Sequence, residues 1–145
     1  MKIAIGCDHA AYEEKNKIKQ LLENLNHEVV DCGTDSSESV DYPLYGHAVA
    51  FEVSRNKVDR GIVICGSGIG ISIAANKVKD IRAALCTSVL HAQLSRQHND
   101  SNVLALGARI TKIEDLIEIT QAWLNTSFEG GRHLNRINMI EINEQ

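Results

Sequence analysis

Five short apolar runs punctuate this chain: IAI at 3–5, EVVDC at 28–32, IVIC at 62–65, RAALC at 82–86 and VLAL at 103–106. Each reads as a strand, and most lack the alternation expected of a sheet with one wet face. Between them the period lengthens. Ile18, Leu21, Leu22 and Leu25 recur at i, i+3, i+4 and i+7, and Ile113, Leu116 and Ile117 follow the same template, with polar Thr120 at its end. Apolar strands alternating with helices form a parallel sheet covered on both faces. The predicted class is therefore α/β, and the stretch from Gly130 to Gln145 is a tail after the last βα unit.

At 145 residues the chain reads as one domain, 1–145, able to bury a core without staples. A net charge of −4 offers no basic patch for nucleic acid. No apolar stretch approaches the ~20 residues that cross a bilayer, and MKIAIGCDHAA reaches a Cys-Asp-His too soon for a secretory signal. Cys7, Cys32, Cys65 and Cys86 form no C-x-x-C pair, which argues against a zinc ribbon or redox dithiol. Reduced thiols in a cytoplasmic protein are expected. The six histidines contain neither H-x-x-x-H nor H-E-x-x-H, so no metal and no cofactor is expected.

In a parallel sheet, ligands sit beyond the carboxyl ends of the strands. The segments predicted there are GCDH, GTDSS, CGSGIG and GAR, and CGSGIG is the most informative. Gly66, Gly68 and Gly70 let backbone approach a ligand, and the helix start that follows offers unpaired N–H groups to an anion. The same field favours the thiolate of Cys65. Spacing separates the chemistries that use such a loop. A dinucleotide site wants G-x-G-x-x-G and an acidic residue about 20 positions on, but here the last glycine comes one residue early and the next strand ends in Cys86. A cysteine phosphatase would need arginine where Ile71 stands, and no G-K-[ST] is present for a P-loop. What remains is a thiolate beside an oxyanion-binding turn, suited to abstracting a proton next to a carbonyl.

GCDHAA near the start, Asp41 with Tyr42 and Pro43, ICGSGIGISIAANK at 64–77, LSRQHND at 94–100 and EGGRHLNR at 129–136 together resemble the type B ribose-5-phosphate isomerases. The resemblance implies a three-layer α/β/α Rossmann-like fold with a five-stranded parallel sheet and a helical C-terminal tail. It also implies metal-independent interconversion of ribose 5-phosphate and ribulose 5-phosphate through a cis-enediolate. Carried over by residue, Cys65 is the base that moves a proton between carbons 2 and 1. His98 opens the sugar ring, helped by Ser67. Asp8 and the loop Gly66, Ser67, Gly68, Ile69 and Gly70 hold the sugar and its oxyanion. His9, Arg109, Arg132 and Arg136 surround the phosphate, and Asn99 lies near the reacting hydroxyls. Cys7, Cys32 and Cys86 are structural, while His27, His47 and His91 are unassigned.

The i, i+4 spacing of Arg132 and Arg136 puts both guanidinium groups on one side of a helix, as a phosphate clamp requires. Geometry bears on His98. A helix beginning near Ser88 must run back antiparallel to its strand, carrying His98 roughly 15 Å from the edge where Cys65 sits. A catalytic His98 must then come from a second subunit, making the active unit a homodimer, or a dimer of dimers, with shared sites. Two alternatives have distinct signatures. An isomerase of allose or galactose 6-phosphate uses the same motifs, although in the galactose enzymes these are divided between two kinds of subunit. A non-enzymatic phosphate- or nucleotide-binding module would need the loop but neither Cys65 nor His98.

Overall fold

The computed structural model describes residues 1–142, so the last three residues of the predicted tail lie outside it. Five strands, β1 (Lys2–Cys7), β2 (Glu28–Asp31), β3 (Arg60–Cys65), β4 (Ala83–Leu85) and β5 (Val103–Gly107), match the five apolar runs. They pair in parallel throughout, in the order β2-β1-β3-β5-β4. The helices are α1 (Tyr12–Asn24), α2 (Tyr42–Ser54), α3 (Ile69–Asn76), α4 (Val89–Asn99), α5 (Ile113–Asn125) and the short α6 (Arg132–Ile137), with a 3-10 turn at His9–Ala11.

The period of two along each strand sorts the core into two layers. Ile3, Ile5, Ile62, Ile64, Leu104 and Leu106 point to one face, where Ile18 and Leu22 of α1, Ala92 of α4 and Leu116, Ile119 and Trp123 of α5 cover them. Ala4, Val63, Cys65, Val103 and Ala105 point to the other, against Val49, Ala50 and Val53 of α2 and Ile71 and Ala75 of α3. Side chains on this second face are small because α2 sits close. A Cβ on Gly61 would stand 2.5 Å from the Val49 side chain, and one on Gly6 would stand 2.8 Å from it.

Helices α2 and α3 are apolar on both sides. Beneath them lie Val49, Val53 and Ile71, while Leu44, Phe51, Ile69 and Ile73 face outward and are exposed.

Two polar anchors fix the sheet's ends. Lys15, only 1% exposed, donates to Asp31 Oδ1 at 2.8 Å and to the Thr34 carbonyl at 2.7 Å, tying α1 to the end of β2. Near the start of β5, Arg96 pairs with Asp100 at 2.8 Å and donates to the carbonyls of Ser101 and Thr126. Trp123 Nε1 donates to Ser101 Oγ at 2.8 Å. The end of α4 is thereby held at the amino-terminal edge of the sheet.

Candidate active site

Cys65 is the last residue of β3 and pairs in register with Gly107, the last residue of β5. Its side chain is almost completely covered, and its Sγ accepts the backbone N–H of Gly68 at 3.2 Å. Gly68 has φ +78°, and a Cβ there would lie 2.8 Å from the backbone of Leu106, so this turn admits only glycine. Gly107 is equally constrained, since its Cβ would stand 2.5 Å from the Ser67 carbonyl oxygen. Ser67 Oγ accepts the N–H of Ile69 at 3.2 Å, which opens α3. The loop thus turns one backbone donor onto the thiol and leads directly into the amino-terminal end of α3.

The loop after β5 is stitched onto this turn. Ala108 N–H donates to the Cys65 carbonyl and Arg109 N–H to the Gly66 carbonyl, both at 2.9 Å. The Arg109 side chain lies over Gly66, with Cδ 3.3 Å and a guanidinium nitrogen 3.6 Å from where a Cβ would be. After β1, Asp8 donates its N–H to the Ile64 carbonyl, and its buried carboxylate accepts the N–H of Ala10 at 3.0 Å. His9 Nδ1 lies 3.2 Å from both the N–H and the carbonyl oxygen of Val40, which pins the ring to that loop. The carboxyl edge thus brings together Asp8, His9, Cys65, the loop Gly66–Gly70 and Arg109.

Tyr42 joins them unannounced. A Cβ on Gly70 would lie 2.6–2.9 Å from the tip of its ring, so the phenol rests directly on the glycine loop. The Asp41-Tyr42-Pro43 stretch was legible as a motif, but only the fold shows what Tyr42 covers.

The other expected site residues gather at the opposite edge. His98 and Asn99 end α4, just before β5 begins at Val103, the partner of Gly61 at the start of β3. Four register steps separate that pair from Cys65 and Gly107, about 13 Å at ~3.3 Å per residue. The Asn99 carbonyl accepts from Arg82 Nε at 2.9 Å, away from Cys65. The tail docks here too, through Glu129 N–H to the Gln97 carbonyl at 3.1 Å. His133 stacks on His98 with centroids 4.4 Å apart and 14° from parallel. Arg132 and Arg136, both exposed on α6, have no ion-pair partner among the described residues. A cavity of about 490 Å³ lined in part by His47, Phe51, Arg55 and Lys77 lies at the far end of α2 and involves none of these residues.

The thiols differ. Burial pushes Cys7, Cys32 and Cys86 up to about 11, holding them protonated at neutral pH. Cys7 and Cys86 have no glycine after them and Cys32 has the single Gly33, whereas Cys65 is followed by three glycines at alternate positions and its sulfur accepts the Gly68 N–H. Desolvation, then the neighbouring His98 and Arg132, hold His133 below the usual imidazole range.

With this geometry in place, likeness to known proteins becomes informative. The Ribose/Galactose Isomerase family profile matches residues 3–140. Ribose-5-phosphate isomerase B of Escherichia coli is 51% identical over 144 residues, covering 99% of this chain and 97% of that protein. The solved ribose-5-phosphate isomerase B of Clostridium thermocellum superposes with a TM-score of 0.96 at 51% identity, covering 97% of this chain and 95% of that one. That of Mycoplasma genitalium, solved with bound ribulose-5-phosphate, gives 0.93 at 41% identity over 96% and 93% of the two chains. The predicted three-layer α/β/α fold with its five-stranded parallel sheet is the fold these relatives share, and the chain belongs to the ribose/galactose isomerase family.

Proposed function

We propose that this protein is an aldose–ketose isomerase that interconverts ribose 5-phosphate and ribulose 5-phosphate. The observation that carries the reading is the Cys65 sulfur held by the Gly68 N–H in the glycine turn before α3, in a chain alike over almost its whole length to ribose-5-phosphate isomerase B. In the open-chain aldose, the Cys65 thiolate takes the proton from carbon 2. The C–H electron pair forms the carbon–carbon double bond of a cis-enediolate, and negative charge moves to the oxygen on carbon 1. Backbone N–H groups of the loop 66–70 other than those given to Cys65 Sγ and Ser67 Oγ stabilise that charge, which is where preorganised donors accelerate most. The hydroxyl proton on the carbon 2 oxygen passes to the carbon 1 oxygen, and as the carbonyl forms at carbon 2 the Cys65 thiol returns its proton to carbon 1, which gives the ketose. Asp8 and Ser67 orient the hydroxyls, and His9 and Arg109 lie at the phosphate end.

His98 opens the sugar ring, and with Asn99, Arg132 and Arg136 it acts on a substrate held by Cys65 of a second copy. Two features support this homodimer: the separation of the two residue sets to opposite edges of one sheet, and the outward apolar face of Leu44, Phe51, Ile69 and Ile73 beside the Cys65 loop. Each copy is taken as one domain spanning 1–145, working in the cytoplasm on a small sugar phosphate. The test is an assay of purified protein with ribose 5-phosphate, in chelator, beside allose 6-phosphate and galactose 6-phosphate. Ribulose 5-phosphate formation at the highest kcat/KM is the expected result. Preference for a six-carbon substrate, or no turnover at all, would overturn the reading.

A further inference from the structure

Where α6 docks on α4, His98, Glu129 and His133 each bring one ligand atom to within 4.8 Å of the other two. Nothing in the isomerisation chemistry asks for this grouping. The Glu129 carboxylate lies 3.5 Å from His133 Nε2, and His133, 6% exposed, stacks its ring on that of His98.

We propose that His98, Glu129 and His133 form a three-ligand site for a transition-metal dication of the zinc class, and that an ion bound there switches the enzyme off. Zinc–nitrogen and zinc–oxygen bonds of ~2.0–2.2 Å put tetrahedral ligand atoms ~3.4 Å apart. Glu129 and His133 already meet that spacing. The lone pairs of stacked, nearly parallel rings do not converge, so binding requires His98 to swing out of its stack on His133 and bring its ring nitrogen to the ion. The fourth position is open to water, as in exchangeable zinc sites. Two neutral imidazoles and one carboxylate suit zinc, cobalt or nickel, whereas magnesium and calcium require oxygen ligands. Arg132 and Arg136 flank the cluster with positive charge, so the site holds its ion reversibly. A metal on the His98 nitrogen occupies the electron pair that ring opening uses. The inhibitory half of the proposal therefore rests on the role given to His98 above, whereas the binding half does not.

Cobalt serves as the spectroscopic probe. Chelator-stripped protein titrated with Co²⁺ is expected to develop the visible absorption of a four-coordinate ion, at one cobalt per chain, and to lose it on addition of Zn²⁺. Glu129→Gln and His133→Gln should each weaken cobalt binding at least tenfold, and Cys65→Ser should leave it unchanged. Zinc should abolish wild-type turnover, reversibly with chelator, and Glu129→Gln should turn over normally while needing at least tenfold more zinc for the same loss. Glu129 is exposed, so its glutamine variant folds, and a zinc-dependent rise in Tm seen in wild type but not in Glu129→Gln gives a second readout. Absence of cobalt absorption, equal binding by Glu129→Gln, or loss of binding in Cys65→Ser would overturn the site. Normal cobalt binding with full turnover in saturating zinc would overturn the switch alone. The activity of His98→Ala, measured without metal, tests the His98 role separately.

Discussion

The Sγ of Cys65 accepts the N–H of Gly68 at 3.2 Å, in a turn whose φ of +78° and contact with Leu106 leave no room for a side chain at residue 68. A donor fixed by covalent geometry cannot rotate away from the sulfur when its charge changes. If that sulfur is the base, Cys65→Ala should lower kcat by ~10²–10⁴-fold or more while ribose 5-phosphate still binds, because Arg109 and the loop remain. Cys65→Ser should be nearly as poor, since an alcohol is scarcely ionised at neutral pH. Turnover and binding, measured separately, check this. An alanine variant that kept most of its activity would make Cys65 a packing residue.

The opposite-edge positions of Cys65 and His98 make a prediction about mixed subunits. Cys65→Ala and His98→Ala proteins are each expected to be inactive. Dissociated and reassociated together, half of the dimers are mixed, and each mixed dimer holds one intact and one doubly damaged site. About a quarter of wild-type activity should return if the sites act independently. Mixed dimers verified by mass spectrometry but without activity would put both residues in one subunit's site, or His98 outside the mechanism.

Arg132 and Arg136 are assigned to the phosphate. Each alanine substitution should weaken binding of ribose 5-phosphate by ~1.5–3 kcal/mol, the contribution of a charge-assisted hydrogen bond. The loss should appear mostly in KM. Free ribose should be a very poor substrate of the wild type, and equal efficiency on ribose and its phosphate would contradict the assignment.

A stability prediction concerns Lys15 and Asp31. Burial by itself would raise the Asp31 carboxyl, but hydrogen bonds from Lys15 and the Gly33 N–H, with the nearby lysine charges, outweigh it and hold the group below the usual carboxylate range. A depressed folded value means that the stabilisation is complete above the unfolded value near ~4 and is lost as pH falls through the folded one. Lys15→Met should cost about 2–4 kcal/mol at pH 7, since it leaves a part-buried carboxylate without its nearest cation. Asp31→Asn should also be destabilised at pH 7, with the gap to wild type closing in acid. Urea unfolding at fixed protein concentration, at pH 7 and pH 3, measures both.

The strands were readable because both faces are buried and each apolar run stands alone. Their order was not, since nothing in IVIC or VLAL says which neighbour it takes. Helix α2 escaped the periodicity test for a physical reason: Val49 and Val53 face the sheet while Leu44 and Phe51 face outward, so no polar stripe marks its outer side. The same holds for α3 with Ile69 and Ile73. Of the expected site residues, Asp8, His9, Cys65, the glycine loop and Arg109 share one edge because each follows a parallel strand. Tyr42 was missed because it heads a helix and reaches the loop only through the packing of α2 on α3. The stacking of His133 on His98 depends on a tail that docks on the end of α4, a contact that local pattern cannot show.

The seam between the turn after β3 and the turn after β5 has a consequence for how relatives could diverge. Ala108 and Arg109 are bonded directly to the carbonyls of Cys65 and Gly66, so the backbone that carries the arginine keeps a constant separation from the strand end that carries the thiol, like two marks on a rule. A longer sugar cannot be accommodated by sliding one mark relative to the other. If Arg132 and Arg136 hold the phosphate, room for an extra carbon comes from α6, a short helix joined to the body through Gly130 and Gly131. Substrate length would then evolve by re-aiming the tail while the reacting end stays as it is.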